Sequence, residues 1–152
     1  ILKMFHIFFA FSWIIGGVAL CLLVFTVHPE SGDELYMRSR ILQIIDDYFI
    51  ICGAFGSLIT GLIYSIWTNW GFFKHRWIIV KWVMTILQMA FGTWVLGPCI
   101  NNNVIIANQL RDAALTDPAF LDNIQTTQIW GTVQTVLLLV LIFISVQKPW
   151  KK

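Results

Sequence analysis

One lysine and one histidine lie inside otherwise apolar stretches of this chain, and both can take part in ligand binding or proton transfer. Lys81 is the only charged residue in the apolar run from Trp77 to Leu96. A lysine in a membrane-spanning helix costs on the order of 3 kcal/mol at the helix centre and less near an end, so the default interpretation is a functional site with a partner. His6 lies near one end of another apolar run and is the partner that we expect.

An imidazole and an amine in an apolar cavity suggest cofactor chemistry. Neutral imidazole is a good axial ligand for haem iron, and the lysine amine beside it could be a second axial ligand, a partner for a haem propionate, or a base. Two simpler alternatives stay open. Lys81 lies near the end of its run and could snorkel to the lipid head groups, and His6, close to Lys3, could lie at the membrane interface. His75 is the reserve ligand, since it precedes the run that carries Lys81.

The composition predicts an integral membrane protein. Of the 152 residues, 58% are hydrophobic and only 12% are charged, whereas a soluble domain is about 25% charged. A helix that crosses a bilayer needs about 20 mostly apolar residues, and the chain has four such stretches, predicted as spans at about residues 3–28, 41–67, 76–98 and 126–147. No nucleic-acid signature is present. Because the chain starts at Ile1 rather than Met, we expect that residues precede it.

Basic residues mark one side of these spans. They are Lys3, Lys74, Arg76, Lys148, Lys151 and Lys152. The positive-inside rule therefore predicts that both termini are cytoplasmic. Short connections between consecutive spans indicate antiparallel neighbours. The predicted fold is an all-α membrane protein, a four-helix transmembrane antiparallel bundle that forms a single domain.

The third span has features that carry it beyond the bilayer. Pro98 lacks an N–H group and clashes with the preceding turn, so we expect a kink there. Helical spacing continues after it, which predicts that this helix extends outside the bilayer to about Leu115. Asp117 followed by Pro118 indicates the start of the fourth helix, well outside the membrane.

The second span is preceded by a polar stretch, Pro29–Arg40, which we interpret as a loop. Asp46 and Asp47 then open the second helix, where carboxylates complement the positive end of the helix dipole. This interpretation gives the two acids a structural role.

Each predicted span has one stripe that is richer in polar and small residues, at about 100° per residue. Lipid does not accept polar side chains, so the stripes should face one another. Small residues there would leave room for a flat macrocycle. The residues predicted to contact the cofactor are His6, Trp13, Gly17, Gly53, Ser57, Tyr64, Gln88 and Lys81, with His6 as the metal ligand and Lys81 as the catalytic residue. The spacing of Gly53, Ser57 and Gly61 also fits plain helix packing.

Two short motifs resemble a known family. Lys3-Met4-Phe5-His6, with Ser12-Trp13 and Gly16-Gly17, resembles the opening helix of the HemJ-type protoporphyrinogen oxidases, and Trp77-Ile78-Ile79-Val80-Lys81 resembles the stretch that carries their lysine. Related groups are the CopD-like membrane domains and an uncharacterised family of predicted four-helix integral membrane proteins. The resemblance implies a bundle in the bacterial inner membrane that binds haem b at His6 and Lys81. It also implies oxidation of a tetrapyrrole, with electrons passed to the membrane chain.

Other functions remain possible on the sequence alone. The small-residue faces predict a homo-oligomer in contact with membrane lipid. The alternative to a redox protein is a non-catalytic scaffold or accessory subunit that binds lipid or another membrane protein. A transporter subunit is the weakest hypothesis, since no discontinuous span or pseudo-symmetric half is visible.

Overall fold

The computed structural model describes residues 1–67 and 76–148. The predicted roles of Lys74 and His75, and of the lysines at 151 and 152, lie outside the described residues. The elements are α1 Leu2–Thr26, α2 Gly32–Ile45, a π-turn Asp46–Ile51, α3 Cys52–Trp67, α4 Arg76–Phe91, a second π-turn Gly92–Leu96, α5 Gly97–Leu110, a 3₁₀ turn Arg111–Thr116, and α6 Pro118–Gln147.

These elements join into long helical segments. Within the described ranges, four segments are long and apolar enough to cross a membrane: Leu2–Thr26, Gly32–Trp67, Arg76–Thr116 and Pro118–Gln147. The predicted all-α membrane bundle is confirmed. We call the end with Leu2 and Gln147 the termini end, and the opposite end, where residues 27–31 and 110–118 connect the segments, the loop end.

The segments pack as a ring of four. At the termini half, α1 packs most closely on α3, and α4 packs on α6; at the loop half, α2 packs on α5 and α5 on α6. The ring closes through contacts between α1 and α6. Among the described helices, no extensive backbone contact joins α4 to α1 or α3. The termini half is therefore less tightly closed on the side of α4.

The interpretation of Pro29–Arg40 as a loop is wrong, because the second segment is helical from Gly32. Ser31 is the N-cap residue, and its hydroxyl accepts a hydrogen bond from the backbone N–H of Glu34 (3.4 Å). Such a cap satisfies one of the free N–H groups at a helix start. The acids that complement this helix dipole are Asp33 and Glu34. Asp46 lies in the middle of the segment instead.

The two π-turns interrupt the second and third segments without ending them. Single π-turns inside α-helices are often found at functional sites. The third segment runs through Pro98 as predicted and extends to Thr116. The distortion that we expected at Pro98 takes the form of the π-turn just before it. The proline ring crowds the carbonyl of the residue four positions earlier, Trp94, which lies in that turn.

The loop end is held by a small cluster of its own. Leu35, Ala107, Ala114 and Phe120 are buried there in one hydrophobic cluster. The predicted start of the fourth helix is confirmed: Asp117 is the N-cap, and its carboxylate accepts a hydrogen bond from Phe120 N–H (2.9 Å). The second and third segments therefore continue as a packed helical cap beyond the bundle.

Candidate functional site

His6 is tied to the neighbouring helix by its ring. Its Nδ1 lies 2.9 Å from the Thr60 hydroxyl oxygen. That hydroxyl has one hydrogen, and it donates to the Gly56 carbonyl at 2.6 Å. We therefore infer that His6 Nδ1–H donates to Thr60, which leaves the lone pair on Nε2. A ligating histidine commonly has its other ring nitrogen held by a hydrogen bond in this way.

Lys81 approaches His6 from α4. Its side chain is half-buried, and it lies within electrostatic range of the His6 ring. The Ser57 carbonyl of α3 also interacts with the same ring. Three helices that are separate in sequence thus bring an imidazole, an amine and a backbone carbonyl together near the termini end.

Two buried polar atoms on α3 and α4 lack partners among the described residues. They are Ser57 Oγ and Gln88 Nε2, on side chains that are 8% and 4% exposed. The backbone carbonyl of Gln88 is satisfied, since it accepts a hydrogen bond from Gln134 Nε2 (3.3 Å). A buried polar group without a partner costs about 1–3 kcal/mol, and each case in a native protein calls for an explanation. A bound polar ligand or water would supply one.

The predicted glycine positions are occupied by neighbouring helices. A Cβ atom at Gly53 would come within 2.6 Å of the Trp13 backbone nitrogen, and one at Gly17 within 2.9 Å of Thr135 Oγ1. Trp13 itself is buried in a cluster with Ala54 and Leu138. These three predicted residues pack helices against one another, and their contact with a cofactor stays a prediction.

The other predicted positions differ in their surroundings. Tyr64 is half-buried on α3, about one turn from Thr60 on the side of the termini end. Gly61 is not tightly packed, since an added Cβ would lie 3.5 Å from the His6 ring, an ordinary van der Waals distance. The structure thus brings His6, Ser57 and Lys81 together, with Gln88 further into the bundle.

Two cavities lie away from His6 and Lys81. One, at the loop half, has a volume of about 10 Å³, which is room for a single water. It is lined by Ser39, Leu42, Ile100, Asn103, Ile124 and Thr127. The other is an apolar groove of about 380 Å³ on the outer face of α1, between Ile14 and Leu22. Its lining suits lipid chains.

Sequence reasoning missed Asp46. It is 8% exposed and begins the π-turn Asp46–Ile51. The sequence did contain a signal that the second helix starts before Asp46. In Ser31-Gly32-Asp33-Glu34, a serine is followed three positions later by a glutamate, and this pattern marks a helix start. With the helix beginning there, Asp46 cannot be a residue of its first turn.

In residues 1–67 and 76–148, no group of three or more His, Cys, Asp or Glu side chains is placed to hold a metal ion. An axial pair of ligands on a porphyrin is not a group of that kind.

Comparisons with known proteins identify a family. A family model described as "Predicted integral membrane protein (DUF2269)" matches residues 1–149. No curated protein and no solved structure matches the chain.

Proposed function

The chain belongs to that family of predicted integral membrane proteins, and we propose that it binds a haem-like tetrapyrrole with His6 as the axial ligand. The observation that carries this proposal is the hydrogen bond between His6 Nδ1 and Thr60. It fixes the ring and leaves Nε2 as a base with a free lone pair, which is the form of imidazole that binds iron.

The donor set supports the same proposal. Lys81 supplies an amine that can complete the axial pair, hold a propionate while charged, or accept a proton. Ser57 Oγ and Gln88 Nε2 supply a hydroxyl and an amide donor that no described residue engages. Haem b held by these groups would supply one-electron chemistry to the membrane chain. Gly17 and Gly53 contribute less than expected, because helix contacts already take up their space.

The membrane setting of the proposal rests on the family resemblance and on charge. The resemblance implies the bacterial inner membrane, in contact with lipid. We infer that both termini are cytoplasmic, because the basic residues of the sequence flank the termini side. Large apolar side chains such as Phe8, Ile59 and Phe143 are more than half exposed. These faces suit lipid or a second copy of the chain.

The first test is an absorption spectrum of the purified protein with haem added in equal amount. We expect a Soret band that shifts on binding in the parent protein and that is lost in His6→Ala and weakened in Lys81→Met. His28→Ala and Lys3→Met are the matched controls, because both residues are exposed and should leave the spectrum unchanged.

A structural role for His6 would give a different result. In that case His6→Ala would lower the thermal stability while the haem spectrum of the folded fraction stayed like that of the parent. Such an outcome would overturn the tetrapyrrole proposal.

The second candidate function is a non-catalytic scaffold or accessory subunit. The observation that favours it is the backbone-level packing of α1 on α3 at Gly53, which makes a rigid pair with exposed apolar outer faces. A scaffold would leave the spectrum of the added haem unshifted, and its stability would not respond to Lys81→Met.

A further inference from the structure

Asp46 is the buried carboxylic acid of this protein. Among the described residues every other Asp or Glu side chain is exposed or half-exposed, whereas Asp46 is 8% exposed. It begins the π-turn Asp46–Ile51. In a bundle that crosses a membrane, an ionisable residue facing the interior is a functional candidate by default, and a π-turn strengthens that expectation.

The neighbours of Asp46 along the helix show which way it faces. Leu42, one turn earlier, is buried in a cluster with Leu20, Val24 and Ile100, and Ile50, about one turn later, packs against the same cluster. Residues one turn apart share a helix face. Asp46 therefore lies on the face that is turned toward α1 and α5, inside the ring of helices.

No cation of the described residues forms an ion pair with this carboxylate. In residues 1–67 and 76–148, no Lys or Arg nitrogen comes within 4.0 Å of it. The two arginines nearest in sequence are engaged elsewhere: Arg38 donates to the Val27 carbonyl at 2.9 Å, and Arg40 donates to Gln43. The other ionisable groups on the elements around this turn are Lys3, His6 and Cys21 on α1, Asp33, Glu34 and Tyr36 on α2, Cys52 and Tyr64 on α3, Cys99 on α5, and Asp47 and Tyr48 in the turn itself.

A proton is the ligand that this setting favours. A buried carboxylate without a partner carries a desolvation cost of several kcal/mol, and the adjacent Asp47 adds like-charge repulsion. A bound proton removes both costs without needing any other ligand. Asp47 is exposed and gives the interior carboxyl a neighbour in contact with the outside of the bundle.

We propose that Asp46 is a proton-binding site in the interior of the loop half of the bundle. The site is separate from the group around His6, because Asp46 is about one turn from Leu42 in the loop half whereas His6 bonds to Thr60 in the termini half. Proton binding at Asp46 does not require that a tetrapyrrole binds at His6.

Reaction with dicyclohexylcarbodiimide tests the proposal, since this apolar reagent labels protonated carboxyls in apolar surroundings. The acid proton moves to a carbodiimide nitrogen, the carboxylate oxygen bonds to the central carbon, and the adduct rearranges to a stable N-acylurea. We expect intact-mass spectrometry of the protein in lipid nanodiscs near neutral pH to show one adduct, with more labelling as the pH falls. Asp46→Asn should remove the adduct, and Asp122→Asn, the matched control at an exposed carboxylate, should keep it.

Each other outcome counts against the site. Fragment spectra of the labelled parent protein locate the adduct directly, so that the test does not depend on the folding of Asp46→Asn. An adduct on Asp47 instead, or no adduct at all, would overturn the proposal. Protection of Asp46 by sodium chloride but not by choline chloride would replace the proton site with a metal-cation site.

Discussion

The termini half and the loop half of this bundle treat their buried polar groups differently. In the loop half, Asn103 donates to the Phe120 carbonyl (3.4 Å) and accepts from Asn123 (2.9 Å), and Ser39 donates to the Leu35 carbonyl (2.9 Å). In the termini half, Ser57 Oγ and Gln88 Nε2 have no described partner. The exceptions in the loop half are Arg38 Nε and the buried carboxyl of Asp46, for which we propose a bound proton.

Whether a buried polar group has a hydrogen-bond partner distinguishes residues that pack the helices from candidate binding residues. A buried polar group that is fully hydrogen-bonded specifies one arrangement of the helices, while a group without a partner lowers stability unless a ligand engages it. The hydrogen bonds of Asn103 and the loop-end cluster therefore fix how the second, third and fourth segments meet. The termini half, around His6 and Lys81, is where we propose that a tetrapyrrole binds, and it is separate from the proton site that we propose at Asp46.

The largest expected effect is the loss of the aromatic ring in the loop-end cap. Phe120 is 1% exposed, so Phe120→Ala should lower the free energy of unfolding by about 3–5 kcal/mol through cavity formation. Denaturation of the solubilised protein, followed by tryptophan fluorescence, measures it. Phe143→Ala is the control, because Phe143 is 63% exposed. Equal stability of the two variants would show that the cap is not an independent source of stability.

A smaller loss is expected where α1 meets α3. Gly53→Ala places a methyl group 2.6 Å from the Trp13 backbone nitrogen, and backbone cannot move aside as a flexible side chain does, so we expect a cost of about 1–3 kcal/mol. The thermal midpoint in detergent reports it. In Gly61→Ala the new methyl group lies 3.5 Å from the His6 ring, and stability should stay the same or rise slightly because alanine favours helix. A tolerated Gly53→Ala would contradict the close packing.

The smallest expected effect is that of Ser57→Ala in the termini half, which we compare with Asn103→Ala in the loop half. Asn103→Ala leaves Asn123 without its acceptor and should cost about 1–3 kcal/mol. Ser57→Ala removes no hydrogen bond of the described residues, and its free energy of unfolding should stay close to that of the parent. Paired unfolding curves decide between them. A Ser57→Ala variant as unstable as Asn103→Ala would mean that Ser57 is a packing residue and not part of a binding site.

Local sequence signals predicted much of this structure. The four spans followed from runs of apolar residues, because a helix in lipid must satisfy its backbone hydrogen bonds within itself. Asp117 and Pro118 marked the start of α6, since a cap acts on the backbone of the next few residues. The prediction was wrong before the second span, where the polar stretch Pro29–Arg40 suggested a loop although Ser31 caps a helix that begins at Gly32.

The candidate site was predicted only in part. His6 and Lys81 stood out as ionisable residues in apolar runs, and the structure gives His6 a partner, Thr60, that the sequence did not single out. Gly17 and Gly53 looked like room for a cofactor, but a glycine leaves space only if no neighbouring helix fills it. Asp46 was assigned to a helix start that lies elsewhere.

The sequence by itself determined that this chain is an integral membrane protein with four helical spans, because hydrophobicity and helix caps act within a few turns of chain. The tertiary structure decided which faces meet: that α1 closes on α3 at Gly53, that α4 packs on α6, and that Asp46 faces the interior. Lipid is as apolar as the helix faces, so the meeting of helices depends on shape and hydrogen bonding between distant residues. Those relations exist only once the bundle has formed.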